Sequence, residues 1–358
     1  MSYLYLLFSG FSLTNITGVI LSWIILPILI ILKISSKKIK IKSTYFTLST
    51  LLFLLIIFST IIPYFFGEYT TRLYSNFYLS TVGLFISLLF FSCNDINKKN
   101  ITSAINLVLL INISAFYIQF VSYYVFEYTL DYNYITGGLG GRFYWGEVFR
   151  ASGLFDEPAV YSLHIVCLIV STFLLQKKTN ILIYTSIASL FLSFSFIAIF
   201  QGILLLILLT KNKKYLIISL LLSVAILIIF QDNILLRYNE FLLGNDGSNN
   251  TKIQTIVGLI NSNKWLIGYG LVGYHSSFPL YYQGLYDLTF WGANISLLGL
   301  PLGLAVNIFS FLYILKFSKK EFLLINIVLL KLSVPTYSIY WFFIFFLIWY
   351  KRNKRYRN

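Results

Sequence analysis

The residues best suited to chemistry in this chain stand together in Arg150-Ala-Ser-Gly-Leu-Phe-Asp-Glu-Pro158. An arginine, two adjacent carboxylates, a glycine and a proline separate two long apolar runs. Arginine suits a phosphate because its planar fork donates two hydrogen bonds to one anion. A carboxylate can hold such an arginine, accept from a hydroxyl or take up a proton. Asp156-Glu157-Pro158 also has the composition of a helix start, with proline in the first turn and acids near the positive end of the dipole. That role accounts for one acid and leaves Glu157 available to hold an arginine or bind a hydroxyl.

Two further stretches add candidates. Upstream, Tyr134-Ile-Thr-Gly-Gly-Leu-Gly-Gly-Arg-Phe-Tyr-Trp-Gly-Glu147 has five glycines, which permit tight turns whose amides point at an anion. Arg142 lies in this run beside Tyr144 and Trp145. Arg142 and Arg150 either bind phosphate or are solvated and pair with Glu147 and Asp156. Downstream lie Arg237, Glu240, Lys252, Lys264, His275 and Asp287. A loop histidine titrates near neutrality, so His275 is either a general base or an exposed loop residue. His164, inside an apolar run, reads as a hydrogen-bonded histidine between helices. Phosphate-loop, HExxH and GxSxG motifs are missing from the sequence, and no glycine run has the strand-to-helix setting of a dinucleotide fingerprint, which argues against cytosolic ATP, NAD or sugar-nucleotide substrates.

These residues stand out because so little else is polar. The 358 residues are 58% hydrophobic and 11% charged, with mean hydropathy +0.80, whereas a soluble domain is about 25% charged. Apolar runs long enough to cross a bilayer recur, so the fold class is all-α: a polytopic integral membrane protein, one transmembrane domain over 1–358. Spans are expected near 15–33, 44–66, 74–93, 101–124, 157–176, 181–195, 197–210, 215–231, 286–315, 322–333 and 336–350. The apolar start, Met1 to Leu13, has no basic segment or small-residue cleavage site and reads as part of the mature protein.

A net charge of +15 raises the possibility of a nucleic-acid partner, but the placement of the charges argues against one. Of the 27 lysines and arginines, 20 fall in six short clusters between spans, accompanied by only Asp95 and Glu321. That is positive-inside anchoring. With all six clusters on the cytoplasmic side, 181–210 and 322–350 must each go out and return as short helices, turning near Ser193-Phe194-Ser195 and near Lys331 to Pro335. Residues 1–33 form one span or a hairpin, for 11 or 12 crossings. Two large loops, about 125–156 and 232–285, then face outward, and Gly244 to Asn250 reads as a flexible tip of the second. Tyr clusters near span ends fit an interfacial belt or a surface for stacking sugars. Cys93 and Cys167 read as small packing residues, since no Cys or His spacing matches a disulfide framework or metal site.

The run from Arg150 to Pro158, just before a span, resembles the O-antigen and capsule polymerases of the Wzy type, which are related to the O-antigen ligases. Ala159 stands where the family often has serine. The spacing of Arg142 and Gly153 matches a described arginine–glycine pattern of the first loop, and Arg237 and Gly247 miss it by one residue. Asp287 to Gly303 looks like the family's descent from the second loop into a span. Related ligases have a loop histidine near His275, often followed by asparagine, where this chain has Ser276. The resemblance implies a glycosyltransferase C-like membrane fold in the bacterial inner membrane, with the active site facing the periplasm. It implies undecaprenyl-diphosphate-linked oligosaccharides as substrates, surrounding membrane lipids, and a chain-length regulator protein as partner. On that reading Arg142, Arg150 and Arg237 bind the diphosphate, and His275, Glu157 or Asp287 activates the acceptor hydroxyl. Tyr144 and Trp145 stack on sugars, and the activated lipid diphosphate removes any need for a cofactor. The rival expectations are an O-antigen ligase, a lipid-linked sugar flippase and a membrane O-acyltransferase.

Overall fold

A computed structural model describes the chain except at residues 12–15, 37–40, 66–70, 93–95, 133–140, 142, 146–147, 211–216, 218–220, 222–223, 226–227, 229–230, 244–246, 263, 272–283, 285–286 and 356–358. Its elements run α1 (Ser2–Gly10), α2 (Ile16–Ile20), a π-helical turn (Leu21–Ile25), α3 (Leu26–Ser35), α4 (Ser43–Phe65), α5 (Thr71–Ser92), α6 (Lys98–Tyr124), β1 (Tyr144–Trp145), β2 (Val148–Phe149), α7 (Pro158–Gln176), α8 (Ile181–Leu192), α9 (Phe196–Leu209), α10 (Gln231–Leu242), α11 (Gly247–Asn261), α12 (Phe290–Ile314), α13 (Lys319–Leu329) and α14 (Ser338–Arg355).

Among the described residues, six helical stretches are long and apolar enough to cross a membrane: Thr17–Ser35, Ser43–Phe65, Arg72–Ser92, Lys98–Tyr124, Pro158–Gln176 and Phe290–Ile314. The chain thus has the make-up of a multi-pass helical membrane protein. Helices α8 and α9 have 12 and 14 residues, or about 18–21 Å, short of a hydrocarbon core of about 30 Å. Phe194 turns the chain between them in the left-handed region, at φ 48. At the N-terminus, α1 packs on α3. The span expected at 215–231 lies largely outside the described residues. The second large loop contains helices: α10 and α11 fall within it, and Gly247–Asn250, expected to be a flexible tip, open α11. The anchor of α11 is Leu259, buried with Tyr269, Leu297 and Leu298.

The chain divides into two compact units, one of residues 1–40, 89–229 and 342–358, the other of 41–88 and 230–341. In the first unit α7 is the central helix. It is buried nearly all round, as expected of a helix surrounded by other helices. Small residues let its neighbours approach: Tyr161 and Ser189 share a hydrogen bond of 2.5 Å, and Cys167, Ser171 and Ser186 are buried. Tyr5 of α1 stacks on Phe90 at 3.9 Å. Because α7 has 19 residues, its ends lie about 28 Å apart, close to the hydrocarbon thickness. Pro158 starts it beside the Arg150 turn and Lys177 ends it. Helix α6 repeats the arrangement, with Lys98 at its start and Tyr124 hydrogen-bonded to Phe149 at its end.

In the second unit, two prolines interrupt helices. Each removes the N–H that the carbonyl four residues earlier would accept. Pro63 deprives Ser59 in α4, and Pro301 deprives Leu297 in α12. Both carbonyls are satisfied by consecutive residues of one irregular segment: Leu271 N–H donates to Ser59 O at 2.7 Å and Gly270 N–H to Leu297 O at 2.9 Å. Tyr269 N–H donates to Ser296 O at 2.8 Å, while Leu300 N–H turns to Trp265 O at 2.6 Å. Asn76 completes the set by donating to Leu271 O at 3.0 Å. Helix α12 breaks here at Gly299 (φ 77, ψ 169). A Cβ at Gly270 would collide with Ser59 O, and one at Gly299 with Leu266 O.

Two outcomes are expected. Gly299→Ala should cost about 2–4 kcal/mol through strain and overpacking, measured as a lowered unfolding temperature in detergent. In a Cys93→Ser/Cys167→Ser background, Tyr128→Cys and Lys178→Cys should react with an impermeant maleimide from opposite sides of the membrane; labelling from the same side would contradict the two-ended arrangement of α6 and α7.

Candidate functional site

The Arg150 turn is built on a residue that the motif does not contain. Gln119 lies in an apolar stretch of α6 and is fully buried. Its amide oxygen accepts from Ser152 N–H and Gly153 N–H, both at 2.8 Å, and its amide nitrogen donates to Leu130 O at 2.9 Å. One side chain therefore ties the entry of the first loop to its exit. Gly153 makes the close approach possible. It sits at φ 60, and a Cβ there would stand 3.1 Å from the backbone nitrogen of Phe116. Ser152 Oγ donates to Phe155 O at 2.6 Å, and Phe155 is buried against the rings of Tyr161 and His164, at 5.9 and 4.6 Å. His164 Nδ1 is 2.9 Å from Val160 O, one turn earlier in its own helix.

This leaves Ala151, Ser152, Gly153 and Phe155 buried, with Arg150, Asp156 and Glu157 half-buried at the two edges of the turn. Arg150 continues the β1–β2 hairpin, its N–H donating to Phe143 O at 2.7 Å. Pro158 takes the first turn of α7, as expected. Glu157 occupies the N-cap position, yet its side chain does not cap the helix.

The hairpin presents aromatic surface. Tyr144 on β1 is half exposed, shares a hydrogen bond of 2.9 Å with Thr129, and meets Phe149 edge-on at 5.5 Å. Phe149 in turn stacks on Tyr123 at 4.1 Å. Asp131, buried, accepts from Gly141 N–H at 2.8 Å and so holds one end of the glycine-rich run. Tyr132 donates to Ala115 O at 3.2 Å, and burial pushes its hydroxyl pKa above the usual tyrosine range.

In the second unit Asp287 lies just before α12 and forms an ion pair with Lys331, just beyond α13, at 2.9 Å. Asp287 is thus committed to a lysine that the sequence placed near an outer turn. The backbone of Arg237 lies in α10; its side chain, and that of Trp145 on β1, are outside the described residues. So are Arg142, Glu147 and His275 entirely. Of the sequence candidates, Tyr144 lies on the hairpin that Arg150 continues, and Arg150 and Glu157 flank one buried turn. Sequence reasoning overlooked Gln119 and Asp131. The available signal for Gln119 was a lone amide within an apolar span, which must find partners.

No family model matches this chain, and no curated protein or solved structure matches it. A functional reading therefore rests on the residues themselves.

Gln119→Leu should leave two buried N–H groups without an acceptor, at about 1–3 kcal/mol each. The expected result is faster proteolysis of the 125–156 loop with helix content unchanged by circular dichroism.

Proposed function

We propose that this protein is a membrane glycosyltransferase that joins lipid-diphosphate-linked oligosaccharide units, the polymerase reading to which the Arg150 motif points. The observation that carries it is the fixed, half-buried placement of Arg150 and Glu157 at the two edges of one buried turn. That turn lies at the end of α7 opposite Lys177. A guanidinium and a carboxylate held beside an apolar boundary suit a substrate whose leaving group is a diphosphate and whose acceptor is a hydroxyl. Tyr144 supplies an exposed ring on which a sugar face can stack. The exposed stripe Ile253, Ile256 and Ile260 on α11 suits contact with lipid chains.

In the proposed reaction the acceptor hydroxyl oxygen attacks the anomeric carbon of the donor glycan. The bond from that carbon to the diphosphate oxygen breaks, and its electron pair leaves with the diphosphate. Arg150 stabilises this developing charge through two hydrogen bonds. Glu157 receives or orients the acceptor proton. The chemistry occurs on the face away from the lysine clusters, which the positive-inside rule makes the periplasmic face. His275 and Arg237 are further candidates on the second loop, for base and diphosphate contact. Asp287 is the weaker alternative, since it holds Lys331.

Arg150→Ala should reduce polymer at least about 100-fold, the scale of losing one transition-state donor, with protein level and lipid-linked single units intact. Arg150→Lys should restore little, because a point charge lacks the fork. Long polymer in either variant would overturn the leaving-group role. Surface glycan lacking even single-unit caps would indicate ligation to a lipid core instead of polymerisation.

A further inference from the structure

Three basic segments, far apart in the chain, meet at the end of the first unit opposite the Arg150 turn. Lys98 opens α6, Lys177 follows α7 and Lys354 lies in the last turn of α14, and all three line one cavity of about 570 Å³. Leu174, Trp349 and Tyr350 give it an apolar and aromatic wall, and none of the described residues lining it is acidic. Positive-inside anchoring requires lysines on this side of the bilayer. It does not require them to converge on a cavity or that cavity to have an aromatic wall.

Lys177 provides a second, independent sign. Its backbone is left-handed, at φ 59, in the position where helices commonly end with glycine. A side chain there costs roughly 1 kcal/mol. The lysine is nevertheless present, and its Nζ lies over the Tyr350 ring, 5.1 Å from the centroid. Asn97 caps the start of α6, so Lys98 enters the cavity at the first turn of that helix. Clustered lysines beside an apolar wall at a membrane boundary match a phosphate attached to an apolar body.

We propose that this cavity binds the phosphate group of an anionic amphiphile, with Lys98, Lys177 and Lys354 holding the phosphate and Leu174 and Trp349 the apolar part. The site lies about 28 Å from the Arg150 turn, at the other end of α7, and does not depend on the polymerase reading.

The test uses the full-length protein, purified and delipidated, in two arms. In the first, native mass spectrometry compares retention of phosphatidylglycerol with that of phosphatidylcholine from an equimolar mixture. In the second, glycerol 3-phosphate is titrated onto protein in phosphatidylcholine nanodiscs, and thermal unfolding is followed. Lys177→Gly removes one cation and relieves the left-handed backbone, so it should remain folded; Lys354→Gln is the companion variant. Wild type should prefer phosphatidylglycerol, and each variant should lose about fivefold of that preference, with the unfolding temperature of Lys177→Gly in phosphatidylcholine unchanged or raised. Protection by glycerol 3-phosphate that either variant abolishes supports the same site with a soluble phosphate as its source. Equal retention of the two lipids with no protection by the soluble ester would overturn the proposal. So would wild-type behaviour of both variants.

Discussion

A backbone amide or carbonyl that leaves regular structure in an apolar environment must find a new partner, because no water is there to replace the lost one. This constraint organises both units. In the second, two prolines free two helical carbonyls, and Gly270 and Leu271 of one short irregular segment supply the donors. In the first, Gln119 supplies an acceptor for two loop amides and a donor for a third group. Irregular backbone is tolerated in each case because its polar groups are satisfied by protein.

The same constraint gives the candidate site its rigidity. A polar turn at a membrane boundary could drift if only water held it. Here the backbone of Ser152 and Gly153 is fixed to a helix, and Phe155 is buried beneath, so Arg150 and Glu157 project from a defined frame. Catalysis through charge stabilisation depends on such a frame, since a donor that must reorganise during the reaction loses much of its effect. At the other end of the same helices an aromatic-walled cavity gathers Lys98, Lys177 and Lys354.

Much of this architecture is legible in the residues. Hydropathy located the six long helices to within a few residues, because a helix that must match a bilayer has a narrow range of lengths. Charge placement implied a reversal at Ser193 to Ser195, and Phe194 makes it. Other features were not legible. The polar composition of Gly247 to Asn250 suggested a loop, but Leu259, twelve residues beyond Gly247, draws the segment into a helix by burying itself against Tyr269 and Leu297. The Gly268–Gly270 region read only as the surroundings of His275, because nothing local reveals that its amides serve carbonyls beside Pro63 and Pro301. The pairing of Asp287 with Lys331, 44 residues away, was likewise not legible.

The sequence alone determined the helical membrane class, the separation of basic clusters from mixed charges, and the choice of Arg150 and Glu157 as candidate site residues. Composition and short-range spacing suffice for those, because they reflect transfer free energies and the chemistry of single side chains. Tertiary structure decided how the Arg150 turn is held, where the freed carbonyls find donors and which lysines share a cavity. Those outcomes depend on hydrogen-bond partners and packing neighbours tens to hundreds of residues away, which only the folded backbone brings within reach.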